Sequence, residues 1–198
     1  MRRLNLFYPV KAPKGYPLVS QKFGPSPLSI YKELGMKGHN GIDYPCPRGT
    51  PVRATHDGIV AYAGGDNKEG YGVVIRTIEP FAYQQGEAYY KTIYWHLLLD
   101  IPVKVNTQVK TGDIIAYADN TGLSTGDHLH FGLKPQVKGE NDWTWWNWEQ
   151  ENGYYGAIDP APYFNNFYAE DEQTIISILR QQISIYQKLI ELFKKVVS

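Results

Sequence analysis

The chain has 198 residues, and its 20 basic and 20 acidic side chains cancel, so it lacks the basic excess that a nucleic-acid binder carries. One cysteine, Cys46, excludes an internal disulfide. Sixteen Tyr, seven Phe, five Trp, 19 Gly and 13 Pro favour strands and turns over a helical bundle, and the length suits one main domain with an appendage.

The N-terminus, Met1-Arg2-Arg3-Leu4-Asn5-Leu6-Phe7-Tyr8, has its short apolar run cut by Pro9, Lys11 and Lys14. It does not read as a signal peptide, and no run in the chain is long enough to span a bilayer. Residues 1–24 read as an extended entry segment. Pro25 and Pro27 then open a loop that holds Tyr31. In Gly38-His39-Asn40-Gly41-Ile42-Asp43-Tyr44-Pro45, the glycine and proline argue against a helix. On a straight strand His39 and Asp43 would lie ~13 Å apart. A bend at Gly41 would let them converge on one ion, though an ordinary Gly-rich turn carries the same residues.

Val52 and Ala54 alternate with polar neighbours. Asp57-Gly58 signals a hairpin turn, with a returning strand through Ile59, Val60 and Tyr62. His56, beside that turn, reads as an exposed turn residue. Residues 71–77 form the next strand. After a polar and aromatic connection at 79–91, Thr92-Ile93-Tyr94-Trp95-His96-Leu97-Leu98 reads as a buried strand with a histidine near its end. Residues 103–118 read as another hairpin about Thr111-Gly112-Asp113.

Asn120-Thr121-Gly122 leads into Ser124-Thr125-Gly126-Asp127-His128-Leu129-His130-Phe131-Gly132. On a strand, His128 and His130 share a face ~6.6 Å apart while Leu129 and Phe131 turn to the core. Paired imidazoles suit a metal, a proton relay, or one of each, and a solvated strand face holds them equally well. Trp143, Trp145, Trp146 and Trp148 follow; four clustered tryptophans read first as a hydrophobic cap, and second as a platform for glycan stacking.

Beyond Pro160 and Pro162 the character changes. From Ala169 to Val197 there is no Gly or Pro, and Ile176, Leu179, Ile183, Tyr186, Ile190, Phe193 and Val197 recur at spacings of three and four. The pattern predicts one long amphipathic helix over 169–198 with a wide apolar face. Residues 175–197 of it are the candidate surface for self-association or for a partner helix. The domain division is therefore 1–165, with a core at about 20–135, and 169–198.

Taken in order, Gly38-His39-x-Gly41-x-Asp43, Gly49-Thr50-Pro51-Val52, Tyr94-x-His96-Leu97, and Asn120-Thr121-Gly122-x-Ser124-Thr125-Gly126-x-His128-Leu129-His130-Phe131 resemble the M23 (lysostaphin/LytM-type) zinc metalloendopeptidases. Each motif is weak singly; the ordered set is specific. The resemblance implies a mainly β fold, an antiparallel sheet with a groove. It implies one zinc ion per chain, held by His39, Asp43 and His130, with His96 and His128 as catalytic histidines. Tyr31 is the candidate for an oxyanion-binding tyrosine. Cys46 stands where the family carries a small residue and reads as packing. The implied substrate is bacterial peptidoglycan, cut in its stem peptides or cross-bridges, which places the activity at the cell wall, outside the cytoplasmic membrane. Two other readings compete: a catalytically silent M23-like module that binds cell wall or a partner, and a histidine phosphocarrier. The Asp43 carboxylate and the third histidine fit a metal better than a phosphocarrier.

Overall fold

A computed structural model describes residues 2–11, 17–66, 70–139 and 145–166, together with 180, 183–187, 190 and 193. The chain divides into two compact units, Met1–Asn166 and Phe167–Ser198. In the first, β1 (Leu6–Phe7), β2 (Gly24–Pro25), β3 (Gly38–His39), β4 (Ile42–Pro45), β5 (Pro51–Arg53), β6 (Gly58–Asp66) and β7 (Gly70–Thr77) come in order. They are followed by β8 (Phe81–Tyr83), β9 (Gly86–Leu97), β10 (Gln108–Val109), β11 (Ile114–Tyr117), β12 (His128–Lys138), β13 (Trp145–Asn147) and β14 (Phe164–Asn166). One helical turn, α1 (Ser29–Glu33), carries Tyr31.

An antiparallel sheet in the order β10-β6-β7-β9-β12-β13 forms the frame, with β4 added along the first residues of β12 and β8 added to β9. Strand alternation gives it two chemically different faces. Leu129, Phe131 and Leu133 of β12, Tyr90 and Tyr94 of β9, and Val73 and Ile75 of β7 point to one side and are fully buried. They pack with Leu4, Leu6, Val52, Ala54 and Ile115 in one core. Phe131 sits edge-on to Tyr94, with ring centroids 5.3 Å apart, and 5.5 Å from Phe164. Burial of a side chain of this size contributes roughly 1.5–3 kcal/mol.

The other face is a floor of cross-strand rows. Gly72, Trp95 and His130 form one row across β7, β9 and β12; Val74, Ile93 and Gly132 form the next; Arg76, Lys91 and Lys134 form the third. Gly72 is required in the first row, because a Cβ there would stand 1.9 Å from the Trp95 ring.

The expected hairpins do not form as read. β5 pairs with β11, while β6 pairs with β7 and β10. Asp57 holds a neighbouring loop instead of closing a hairpin between β5 and β6: its carboxylate accepts hydrogen bonds from the Thr111 amide and hydroxyl and an ion pair from Lys110. The two strands flanking Thr111-Gly112-Asp113 likewise lie in different sheets. His56 is not exposed. It is buried beneath β9, with Nδ1 donating to the Asp57 carbonyl at 2.8 Å and Nε2 lying 2.9 Å from the Thr92 hydroxyl. Burial pushes its pKa down to about 4, against the smaller opposing effect of that carbonyl contact.

Most of the long helix expected at 169–198 lies outside the described residues. Within it, 180, 183–187, 190 and 193 are helical, and Ile183, Ile185, Tyr186, Ile190 and Phe193 are exposed. Of the tryptophan cluster, Trp143 also lies outside the described residues. Trp145–Asn147 extends the sheet as β13, and Trp148 packs at a tilt on Tyr83, ring centroids 6.0 Å apart.

Candidate active site

The site begins with the turn between β3 and β4. The chain bends at Asn40 and Gly41, which brings His39 and Asp43 together: His39 Nε2 lies 3.1 Å from Asp43 Oδ1. Gly41 is fixed by sterics. A Cβ there would meet the Phe131 carbonyl oxygen at 2.4 Å and the His130 ring at 2.7 Å. Asp43 is the cross-strand partner of His130, so their side chains leave the sheet on the same side. His130 Nδ1 lies 2.9 Å from Asp43 Oδ1 and 3.0 Å from His39 Nε2.

Three ligand-type atoms thus stand in a nearly equilateral triangle. The His39 ring donates from Nδ1 to the Lys22 carbonyl at 3.1 Å, which leaves a lone pair on Nε2. Asp43 is an acceptor. Burial pushes its pKa up, but the hydrogen bond from His130 and the adjacent His39 ring outweigh this and hold the carboxyl well below its usual range. One proton on His130 Nδ1 is then shared by two acceptors, which leaves excess lone-pair density facing one point. A cation resolves that excess. The edges of 2.9–3.1 Å fall near the ~3.3 Å that separates ligands at ~2.0 Å on a tetrahedral zinc ion. Two neutral imidazoles and one carboxylate are therefore a donor set that can hold a metal, and these three residues form such a group. Cys46 is outside it. Its half-buried side chain packs against the core, and burial raises its thiol pKa.

His128 projects beside the triangle, with Nε2 3.8 Å from Asp43 Oδ1. Its Nδ1 donates to the Gly126 carbonyl at 2.8 Å and lies 3.2 Å from the Ser124 hydroxyl. His96 arrives from the end of β9, where regular alternation would turn it away from Trp95 and His130. A bulge corrects its aim. One step on β7, from Tyr71 to Gly72, spans two on β9, from Leu97 to Trp95, and His96 is the extra residue with φ +64°. Its ring lies 4.6 Å from that of His128 and 6.1 Å from that of His130. His96 Nδ1 donates to the Thr121 carbonyl at 2.7 Å, which frees Nε2. The Thr121 hydroxyl in turn donates to the Leu97 carbonyl and accepts from the Tyr71 amide. Burial pulls the His96 pKa down to about 4, and the neighbouring histidines add to this against the Thr121 contact.

All six residues singled out from the sequence, Tyr31, His39, Asp43, His96, His128 and His130, line one cleft of about 570 Å³. Tyr31 approaches on the His39 side, ring centroids 6.1 Å apart, and its hydroxyl accepts from Gln21 Nε2 at 2.8 Å. Ile93, Trp95 and Lys134 form part of the cleft floor, and Leu28, Leu34 and Leu123 are exposed around it. Sequence reasoning passed over the Lys22 and Thr121 carbonyls, because a backbone acceptor leaves no mark in residue identity. It also passed over Lys134. The signal for that residue was the same two-residue period that links His128 to His130, continued two steps further.

The sequence profile of peptidase family M23 matches residues 37–141. Among curated relatives, DD-carboxypeptidase/endopeptidase Mpg of Neisseria meningitidis is 39% identical over 93 residues, 47% of this chain and 19% of that protein. The glycyl-glycine endopeptidase ALE-1 of Staphylococcus capitis is 38% identical over 109 residues, 55% of this chain and 27% of that protein. The match thus spans under a third of the length of either relative. Among solved structures, the catalytic domain of lysostaphin from Staphylococcus simulans superposes with a TM-score of 0.54 at 28% identity, over 74% of this chain and 91% of that one. A zinc-containing peptidase from Vibrio cholerae superposes with a TM-score of 0.55 at 29% identity, over 84% of this chain and 41% of that one. With more than half of its residues matched by the family profile and its sheet shared with these peptidases, the chain belongs to peptidase family M23.

Proposed function

We propose that the chain is a zinc-dependent endopeptidase that hydrolyses peptide bonds in bacterial peptidoglycan. His39, Asp43 and His130 would hold the ion, and His96 and His128 would move the protons. The observation that carries this is the triangle of ligand atoms with two further imidazoles beside it in one cleft. The peptidoglycan assignment draws on relatives named as a glycyl-glycine endopeptidase and as a carboxypeptidase/endopeptidase.

A zinc ion in such a three-ligand site supplies a Lewis acid and lowers the pKa of water toward ~7. The chain's own residues do the rest. His96, its Nδ1 proton held by the Thr121 carbonyl, presents Nε2 as the acceptor for a proton from the attacking water. The water oxygen bonds to the scissile carbonyl carbon, and the C–N bond then breaks. His128, once protonated, faces the Asp43 carboxylate across 3.8 Å. It can donate to the carbonyl oxygen as charge develops there and to the departing amine. Tyr31, on the His39 side of the cleft, would donate to the same oxygen.

The cell wall would be the place of action, and 169–198 would serve for self-association or docking to a partner helix. Release of free amines from purified sacculi, with zinc, with a chelator, and with a His128→Ala variant, tests the reading. Solubilisation that requires both zinc and His128 is expected. One zinc bound per chain with no amine released from any wall type would overturn it in favour of a silent wall-binding module. Cleavage that survives chelation would remove the metal role.

A further inference from the structure

The cleft floor continues past the metal triangle. On β12 the positions facing the cleft run His128, His130, Gly132, Lys134, and Lys134 lines the same cleft as the histidines. Lys134 stands directly opposite Lys91 of β9, and Lys91 opposite Arg76 of β7. Like charges facing each other across a sheet are destabilising. Both lysines are also partly buried, which adds the cost of desolvating an ammonium group. Burial, together with the neighbouring Lys91 ammonium, draws the Lys134 pKa down to about 8, and burial with Arg76 lowers that of Lys91. Among the described residues, no acidic side chain forms an ion pair with either lysine. An anion entering the cleft relieves the repulsion and the desolvation together.

We propose that Lys134 and Lys91 form an anion subsite in the cleft floor that binds a carboxylate of the substrate peptide. This rests on the peptidase reading above and narrows its substrate class. Four strand steps separate His130 from Lys134, ~13 Å between Cα atoms. An extended peptide covers ~3.3–3.6 Å per residue, so with the reach of the lysine side chain the carboxylate lies about two to four residues from the bond cut. Stem peptides bear carboxylates; glycine cross-bridges bear none within the bridge. The subsite therefore selects stem-type peptides over oligoglycine.

The test uses fluorescein-labelled oligoglycine peptides with Glu placed two, three or four residues to either side of a central Gly-Gly bond, and twins with Gln in its place. Binding is read by anisotropy on the full zinc-loaded chain carrying His128→Ala, so that no turnover intervenes. At least one Glu peptide is expected to bind about tenfold tighter than its Gln twin, the scale of one charge-assisted contact. Lys134→Met in that background should abolish the difference and Lys134→Arg should retain it. Lys91→Met, which leaves Lys134 in place, should reduce it. No Glu/Gln difference in any peptide, or a difference that survives both methionine variants, overturns the subsite. Amine release from purified sacculi by the chain with His128 intact separates the two claims. Charge-dependent binding with no amine released from any wall type defeats the peptidase reading and leaves an anion site; amine release with no Glu/Gln difference in binding defeats the subsite alone.

Discussion

His96 and His128 lie with ring centroids 4.6 Å apart, although one ends β9 and the other begins β12, and only a left-handed backbone at His96 lets its ring face the cleft. The two imidazoles are held independently, His96 by the Thr121 carbonyl and His128 by the Gly126 carbonyl. Each Nε2 is left free for chemistry. Replacing either histidine by alanine is expected to lower kcat by ~10²–10⁴, the range for loss of a positioned acid or base. The double variant should lose far less than the product of the two if, as proposed, the residues act in one proton circuit. Steady-state kinetics on a chromogenic peptide checks both statements.

Gly41→Ala should weaken the fold and metal binding together. The new methyl would stand 2.4 Å from the Phe131 carbonyl oxygen, so the backbone itself must shift, and 2.7 Å from the His130 ring, which must turn away. Displacement of one ligand from a three-ligand set should cost about 10–100-fold in zinc affinity, the scale seen when ligand orientation is lost. Competition with a chromophoric chelator reads the affinity, and urea unfolding reads the lowered stability.

Thr121→Ala should act on kcat and spare KM. The Thr121 hydroxyl bridges the Leu97 carbonyl and the Tyr71 amide, which fixes the carbonyl that orients His96. Without the bridge the imidazole loses its tautomer and aim, and a drop of roughly tenfold in kcat is expected from a misplaced base. Thr121→Ser keeps the hydroxyl and should restore the rate.

Stability should fall as the pH drops below neutrality, with His56 as one identifiable source. Its folded pKa of about 4 lies below the usual 6.5, so the folded state binds fewer protons than the unfolded chain. Its contribution is therefore fully present above pH 6.5 and is lost as the pH falls toward 4. The difference amounts to on the order of 3 kcal/mol. Urea unfolding between pH 7.5 and 4 should show this slope, and His56→Gln should flatten it while lowering stability at pH 7.5.

The parts of the site that were legible in the sequence depend on local geometry. His128 and His130 share a face because a strand alternates every second residue, and their core-side neighbours Leu129 and Phe131 are fully buried. The bend at Gly41 was legible from the distance problem between His39 and Asp43. What escaped the reading depends on partners far away in the chain. Nothing local shows that His96 is a bulge residue, since the bulge exists only relative to β7. His56 looked exposed because it adjoins a turn sequence, but Asp57 spends its carboxylate on Thr111 and Lys110, and the imidazole sinks toward Thr92. The third row of the floor, Arg76, Lys91 and Lys134, is visible only once the register of three strands is known.

His130 meets its two companions in the triangle across 87 and 91 positions of chain. Closing a loop of that size carries a substantial entropic penalty, and a contact so distant forms late relative to local ones. No short peptide cut from this chain therefore contains the site, and an unfolded or nascent chain offers the ion only a local pair, His39 with Asp43 or His128 with His130. Metal capture would therefore follow assembly of the sheet and not nucleate it, so a tightly bound ion would serve as a reporter that β3, β4 and β12 have come together.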